Sequence, residues 1–283
     1  MSEPLRVGRI SYLNLLPIFS ALEELADPGK YNFMEGVPSE LNRMLRNGEL
    51  DISPSSSIEY LRDKNSYQFL KGHSISSTGA VRSVLLFSRI PIENICSQKV
   101  MATHQSETSI ALLRVILNKF YGHDCDLETT REPFYEAIRR HSAYLSIGDD
   151  ALMALHESNV LEIEKPADCH AICSISNQAF YVYDLGELWR MHTGLPSVYA
   201  LWTYRASLPD ERIRLIEAYG RDLASATDNA MKNIERIAMR SDVNIPPAEA
   251  VAYWRGITYG LPDKCLEGLS LFEKYLYDTG VLD

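Results

Sequence analysis

No stretch of this sequence is apolar for long enough to span a bilayer. A membrane helix needs about 18–20 apolar residues, whereas the runs here are of the kind Val84-Leu85-Leu86-Phe87. The N-terminal Met1-Ser2-Glu3-Pro4-Leu5-Arg6 has no basic region leading into an apolar one. Leu15-Leu16-Pro17-Ile18-Phe19 is too short for a secretory leader. Cysteine is scarce: Cys96, Cys125, Cys169, Cys173 and Cys265 are an odd number with no framework spacing. These absences point to the cytoplasm and to reduced thiols rather than disulfides. Positive charge is in deficit, with 28 Lys and Arg against 38 Asp and Glu and a net charge of −10. That excludes the broad basic face of a nucleic-acid-binding protein. A small anion can still be held by backbone N–H groups, hydroxyls or one Arg. The sequence also lacks Gly-x-Ser-x-Gly, Gly-x-x-x-x-Gly-Lys and a dinucleotide fingerprint, so hydrolase, NTPase and dehydrogenase readings have no support.

What remains is an ordinary globular composition, 46% hydrophobic and 23% charged over 283 residues, enough for one large domain or two of common size. Leu5 to Ile10 reads as a buried strand, Ser11-Tyr12-Leu13-Asn14 as a turn, and Leu15 to Ala26 as a helix with Pro17 in its first turn. Tyr31 to Val37 is a second strand. Pro38 opens a helix with Leu41, Met44 and Leu45 on its apolar face, closed by Asn47-Gly48. Leu50 to Ser53 is a short strand, followed by a Pro54-Ser55-Ser56-Ser57 turn and another helix. Such alternation predicts a wound parallel sheet. A second αβ series begins at Lys99. Its helix, Ser106 to Tyr121, buries Ile110, Leu113, Leu117 and Phe120 and stops at Gly122. Tyr144 to Ile147 is a strand and Gly148-Asp149-Asp150 starts a helix. Beyond a β segment at Ser197 to Tyr204 the chain reads as almost all helix.

These blocks predict two α/β lobes, residues 1–88 with 197–283 against 89–196. Two β segments, near 83–90 and 197–204, would form a double hinge, with a ligand cleft between the lobes. Three polar strand-to-helix turns offer N–H and OH donors to a small polyanion: Ser11 with Asn14, Ser53 to Ser57, and Ser106-Glu107-Thr108-Ser109. Asn14, Ser56 and Ser106 could equally be helix caps. Arg82-Ser83 lies at the expected crossing, where an Arg could meet a carboxylate. Cys169-His170-x-x-Cys173 has no second pair to complete a zinc site, so no metal is expected. The seven histidines form no constellation.

Several segments together resemble the chorismate dehydratase family, which opens the futalosine route to menaquinone. They are Val7-Gly8-Arg9-Ile10-Ser11-Tyr12-Leu13-Asn14, Gly48 to Tyr60 with Asp51-Ile52-Ser53-Pro54-Ser55-Ser56, and Gly79-Ala80-Val81-Arg82-Ser83-Val84. Ser106-Glu107-Thr108-Ser109, Ile147-Gly148-Asp149-Asp150, Tyr183-Asp184-Leu185-Gly186, Thr193-Gly194-Leu195-Pro196 and Tyr199-Ala200-Leu201-Trp202 follow in order. The resemblance implies a type II periplasmic-binding-protein-like fold and a lyase that eliminates water from chorismate without a cofactor. It implies catalytic roles for Asn14 and Ser83, and substrate contacts from Ser11, Ser56, Ser106, Thr108, Ser109 and Asp149. Two other classes stay open: a non-catalytic small-anion binding protein of the same fold, and the sister 1,4-dihydroxy-6-naphthoate synthase. The Cys-Pro-Asn-Asp turn of that sister family is not matched by Ser11-Tyr12-Leu13-Asn14.

Overall fold

Along Leu5–Ile10 the apolar Leu5, Val7 and Ile10 are buried while Arg6 and Arg9 are half-exposed. Successive residues of a strand point to opposite faces, so Leu5 and Val7 on one face and Gly8 and Ile10 on the other are all covered, as in an interior strand of a wound sheet. The computed structural model describes residues 3–27, 29–97 and 99–283; Met1 and Ser2 of the N-terminal stretch considered above lie outside the described residues. The chain divides into two compact units. One runs up to Ser76 and resumes over Val198–Pro262, and the other comprises Ser77–Ser197 and Asp263–Asp283.

In chain order the first unit contributes β1 (Leu5–Ile10), α1 (Leu16–Leu25), β2 (Tyr31–Gly36), α2 (Pro38–Arg46), β3 (Ile52–Ser56), α3 (Ser57–Arg62) and β4 (Tyr67–Ser77). The second contributes β5 (Val84–Ser88), β6 (Val100–Thr103), α4 (Glu107–Tyr121), β7 (Leu127–Thr130), α5 (Phe134–Arg140), β8 (Ala143–Ile147), α6 (Gly148–Glu157), β9 (Asn159–Val160), β10 (Ala171–Ile175), β11 (Gln178–Asp184) and α7 (Leu185–Thr193). The chain then returns through β12 (Ser197–Arg205), α8 (Asp210–Lys232), α9 (Ile234–Arg240), α10 (Pro247–Gly256) and β13 (Ile257–Thr258), and ends with α11 (Asp263–Asp278). The first sheet has the order β13-β4-β12-β3-β1-β2 and the second β7-β6-β8-β5-β11-β10-β9.

In the first unit β1 runs parallel to β2 and β3, with Val7 opposite Phe33 and Ile52. A Cβ at Gly8 would overlap the Ser53 side chain, so only glycine lets β1 and β3 approach there. Phe19 of α1 packs on Phe33 and Trp202, and Trp202 on Tyr219 of α8. Each such ring contributes about 1.5–3 kcal/mol on full burial. At the other end of the sheet the buried Asp51 accepts from the Arg6 guanidinium at 2.7 Å and from Arg212. Burial pushes its pKa up, but hydrogen bonds from Arg6 and Arg212 more than offset this and hold it below the usual carboxylate value.

In the second unit Phe87, Phe134 and Tyr144 form an edge-to-face chain. Cys173, fully buried, lies in the same core. Trp189 of α7 packs against Phe120 of α4 and Phe272 and Tyr275 of α11.

Four expectations need correction. The strand at 83–88 is not a crossing: β5 lies inside the second sheet, antiparallel to both β8 and β11. The chain instead passes between units at the end of β4 and the start of β12, so Ser83 belongs to the second unit. Residues 263–283 also belong there, not with 197–262, because the aromatic cluster around Trp189 draws α11 in. A Cβ at Gly268 would overlap the Pro196 carbonyl oxygen, which shows how closely this helix is seated. Next, Pro54, Ser55 and Ser56 are not a turn. They continue β3, with Pro54 opposite Trp202 and Ser55 opposite Leu201. Finally, Cys96 and Cys125 form a disulfide, whereas Cys169, Cys173 and Cys265 are free and buried. A smaller difference is on α2, where Asn42, not Met44, joins Leu41 and Leu45 in being buried.

Candidate functional site

The first unit gathers its polar turns at the carboxyl ends of β1 and β3, which the parallel pairing puts at the same end of the sheet. The turn after β1 is held through its backbone. Trp254 donates its indole N–H to the Leu13 carbonyl at 2.7 Å, and the Tyr259 hydroxyl donates to the Asn14 carbonyl at 2.7 Å. The side chain of Asn14 is left out of this scaffolding. The N-cap of α1 is Leu15, with no side-chain cap bond, so Asn14 does not cap the helix. Its Oδ1 is buried and has no hydrogen-bond partner among the described residues. An orphaned buried acceptor costs roughly 1–3 kcal/mol, so its retention calls for an explanation. Ser11, at the start of the turn, is exposed. Ser56 takes the N-cap position of α3 but makes no side-chain cap bond. Its neighbour Ser57 donates to the Val198 carbonyl at 2.8 Å, fixing α3 to the start of β12. The buried Ser53 and Ser55 hydroxyls also lack partners among the described residues.

The second unit assembles its own polar edge. β6 and β8 are parallel neighbours, so the turns after them lie side by side. β5 runs antiparallel to β8 with Val84 opposite Ile147, which brings Ser83 to that same edge. There the Gly148 N–H donates to the Ser83 carbonyl at 2.8 Å. Ser83 and the Gly148-Asp149 turn are therefore joined directly. The Ser83 hydroxyl is buried and, among the described residues, meets only the Val81 carbonyl, at 3.5 Å. Asp149 is half-buried in the first turn of α6. Ser106 caps α4, accepting from the Ser109 N–H at 3.2 Å, and its hydroxyl lies 3.0 Å from that of Ser109. The capping role is thus realised at Ser106 and not at Asn14. Thr108 and Ser109 are buried in the first turn of α4. Each of the two edges therefore collects the sequence-predicted residues that fall within its unit: Ser11, Asn14 and Ser56 on one, Ser83, Ser106, Thr108, Ser109 and Asp149 on the other.

Two chemistry-bearing residues escaped the sequence. His104, in the β6–α4 turn, has a buried Nδ1 without a partner among the described residues; seven scattered histidines gave no reason to choose it. Asp184 ends β11 and is fully buried. It stood out only inside a matching segment, since nothing local shows that it reaches Val81 and Arg82. The Cys169 thiol bonds to the Ala171 carbonyl at 3.0 Å, and His170 pairs with Glu187 at 2.7 Å. Among the described residues no group of His, Cys, Asp and Glu is arranged to hold a metal ion.

Comparison with solved structures first defines the class. A protein of Archaeoglobus fulgidus superposes with a TM-score of 0.71 at 17% identity, covering 99% of each chain. A Candida albicans protein described as having the generic periplasmic binding protein fold gives 0.62 at 10% identity, covering 99% of this chain and 90% of that one. The aliphatic sulphonate binding protein of Escherichia coli gives 0.62 at 12% identity, over 100% and 89%. The chain therefore has the periplasmic-binding-protein fold, and at these identities the likeness speaks of fold alone. Sequence comparison goes further. The chorismate dehydratase of Thermus thermophilus is 34% identical over 209 residues, 73% of this chain and 72% of that protein. A family model for menaquinone biosynthesis matches residues 5–278. The chain belongs to this menaquinone biosynthesis family.

Proposed function

We propose that this chain is a chorismate dehydratase, a carbon–oxygen lyase that converts chorismate to 3-[(1-carboxyvinyl)oxy]benzoate and water in the cytoplasm. The observation that carries the reading is the 34% identity to a chorismate dehydratase, joined to a family match over nearly the whole chain. The Asn14 Oδ1, without a partner among the described residues, fits it.

The chemistry follows from the substrate. The proton on the ether-bearing ring carbon is γ to an unsaturated carboxylate. Its removal leaves an extended dienolate whose charge runs onto that carboxylate. Loss of the neighbouring hydroxide then gives an aromatic ring, and the departing oxygen collects the proton as water. The protein must supply donors to the ring carboxylate while charge builds there, and must fix the enolpyruvyl ether against competing rearrangement. Asn14 and Ser83 are assigned to the reacting centre. Ser11, Ser56, Ser106, Thr108, Ser109 and Asp149 are assigned to binding. Because Ser106 and Ser109 bond each other, their contribution to an anion would be the remaining N–H and hydroxyl donors of the α4 first turn. The enolpyruvyl carboxylate of the substrate itself serves as the proton acceptor, with Asn14 orienting the group and assisting hydroxide departure.

Two experiments test this. Purified protein mixed with chorismate and EDTA, with nothing else added, should generate the absorbance of a substituted benzoate; an unchanged spectrum overturns the assignment. A chorismate analogue lacking the enolpyruvyl carboxylate should bind and turn over far more slowly, and undiminished turnover would remove the substrate carboxylate from the mechanism.

A further inference from the structure

Arg82 holds a left-handed backbone, φ +63°, immediately before Ser83. A non-glycine residue enters that region only when its surroundings enforce it, at a cost of about 1–3 kcal/mol. The enforcing group is Asp184. Its Oδ2 accepts from the Arg82 N–H at 2.6 Å, and its Oδ1 accepts from the Val81 N–H at 3.0 Å. The same Oδ1 takes the Gly186 and Glu187 N–H groups at 2.9 and 3.2 Å, capping α7. This carboxylate is 0% exposed and makes four bonds to backbone. Burial pushes its pKa up, while the N–H donors of Arg82, Val81 and Glu187 and the nearby His170 pull the other way. On the far side of the strained residue, the Ser83 carbonyl is fixed by the Gly148 N–H. Ser83 is thus gripped from both sides, and among the described residues its hydroxyl meets nothing nearer than the Val81 carbonyl at 3.5 Å.

We propose that Asp184 is a positioning residue of the active site: its carboxylate clamps Val81 and Arg82 in a strained backbone so that the Ser83 hydroxyl and N–H are presented to the substrate. The proposal rests on the dehydratase reading for its kinetic consequences and on geometry alone for the clamp.

The two carboxylate oxygens have separable duties, so Asp184→Asn is a sharp probe. An Asn Oδ1 keeps the bonds to Val81, Gly186 and Glu187. Its NH2 replaces Oδ2 and confronts the Arg82 N–H, donor against donor. Hydrogen exchange of the free protein reads the clamp without any reaction. In Asp184→Asn the Arg82 amide should exchange roughly 10- to 100-fold faster, the loss expected of one charge-assisted bond, while the Gly186 and Glu187 amides stay protected. With chorismate, kcat should fall about tenfold or more with KM moving far less, because a displaced Ser83 weakens what is bound in the transition state. Arg82→Gly removes the conformational penalty of a positive φ. In an Arg82→Gly background the same Asp184→Asn change should therefore lose several-fold less in kcat, a coupling that a general loss of stability does not produce.

Equal exchange at Arg82 in wild type and Asp184→Asn overturns the clamp. Faster exchange with unchanged kcat, or an identical kcat penalty in both backgrounds, overturns the positioning role. If wild-type protein leaves chorismate untouched, the dehydratase reading and the kinetic claim fall together, while the exchange result still decides the clamp.

Discussion

Asn14→Asp separates the two roles that a residue in this turn can play. The backbone of the turn is secured by Trp254 and Tyr259, and the Asn14 side chain makes no cap bond to α1. Among the described residues, the substitution therefore breaks no helix cap and no hydrogen bond at Oδ1. It does exchange a neutral amide for a carboxylate, one oxygen of which occupies the buried Oδ1 position. Asn14 is only half-buried overall, so the desolvation is partial and the melting temperature should fall by no more than a few degrees. Against a dianionic substrate the change is severe: a donor is lost and a negative charge faces carboxylates. Losing one donor where charge develops costs about 2.7–4 kcal/mol, or roughly 10²–10³ in kcat. The assay is a thermal melt followed by far-ultraviolet circular dichroism, paired with steady-state chorismate consumption. A variant that melts normally and turns over chorismate at near wild-type rate would refute the assignment of Asn14 to the reacting centre.

Ser83→Ala should show the same pattern in milder form, losing roughly 2- to 12-fold in kcat, the worth of a neutral hydrogen bond at about 0.5–1.5 kcal/mol; a loss as deep as that of Asn14→Asp would contradict the ranking. Asp51 has a folded pKa below its unfolded value, so its stabilisation is present above about pH 4 and is lost as pH falls through the folded pKa. Asp51→Asn should lower the melting temperature at pH 7 and flatten its decline in acid, and an unchanged acid limb would show that this cluster does not govern it. The Cys96–Cys125 bond spans a sequence separation of 29, which in the chain-entropy account is worth roughly 3–4 kcal/mol. Denatured, unreduced protein should titrate three thiols, those of Cys169, Cys173 and Cys265, and reductant should lower the melting temperature. Five reactive thiols in protein kept from reductant would show the pair open.

Local physics made much of this fold legible. The apolar Leu5, Val7 and Ile10 of β1, Pro38 at the first position of α2 and the left-handed Gly122 after α4 are signals carried by a few neighbouring residues. The misplaced features depend on partners remote in sequence. Pro54-Ser55-Ser56 looks like a turn, and becomes strand because β1 and β12 flank β3. The seating of α11 depends on Trp189, some 80 residues upstream of Phe272 and Tyr275. Cys96 and Cys125 are unremarkable until the segments carrying them come together. At the candidate site the polar turns were visible as composition, but composition could not tell a cap from a free side chain. Ser106 proves to be the cap and Asn14 the side chain left over. Asp184 was invisible as a clamp because its partners lie 102 and 103 residues away.

The proposed reaction removes a defined proton and a defined hydroxyl from one substrate. Chorismate carrying deuterium at the ether-bearing ring carbon tests it directly when incubated with the purified protein alone and analysed by mass spectrometry and NMR. The expected product is unlabelled 3-[(1-carboxyvinyl)oxy]benzoate, with the deuterium in solvent and Asn14→Asp yielding almost none. Unchanged chorismate, or an aromatic product that retains the label, would contradict it.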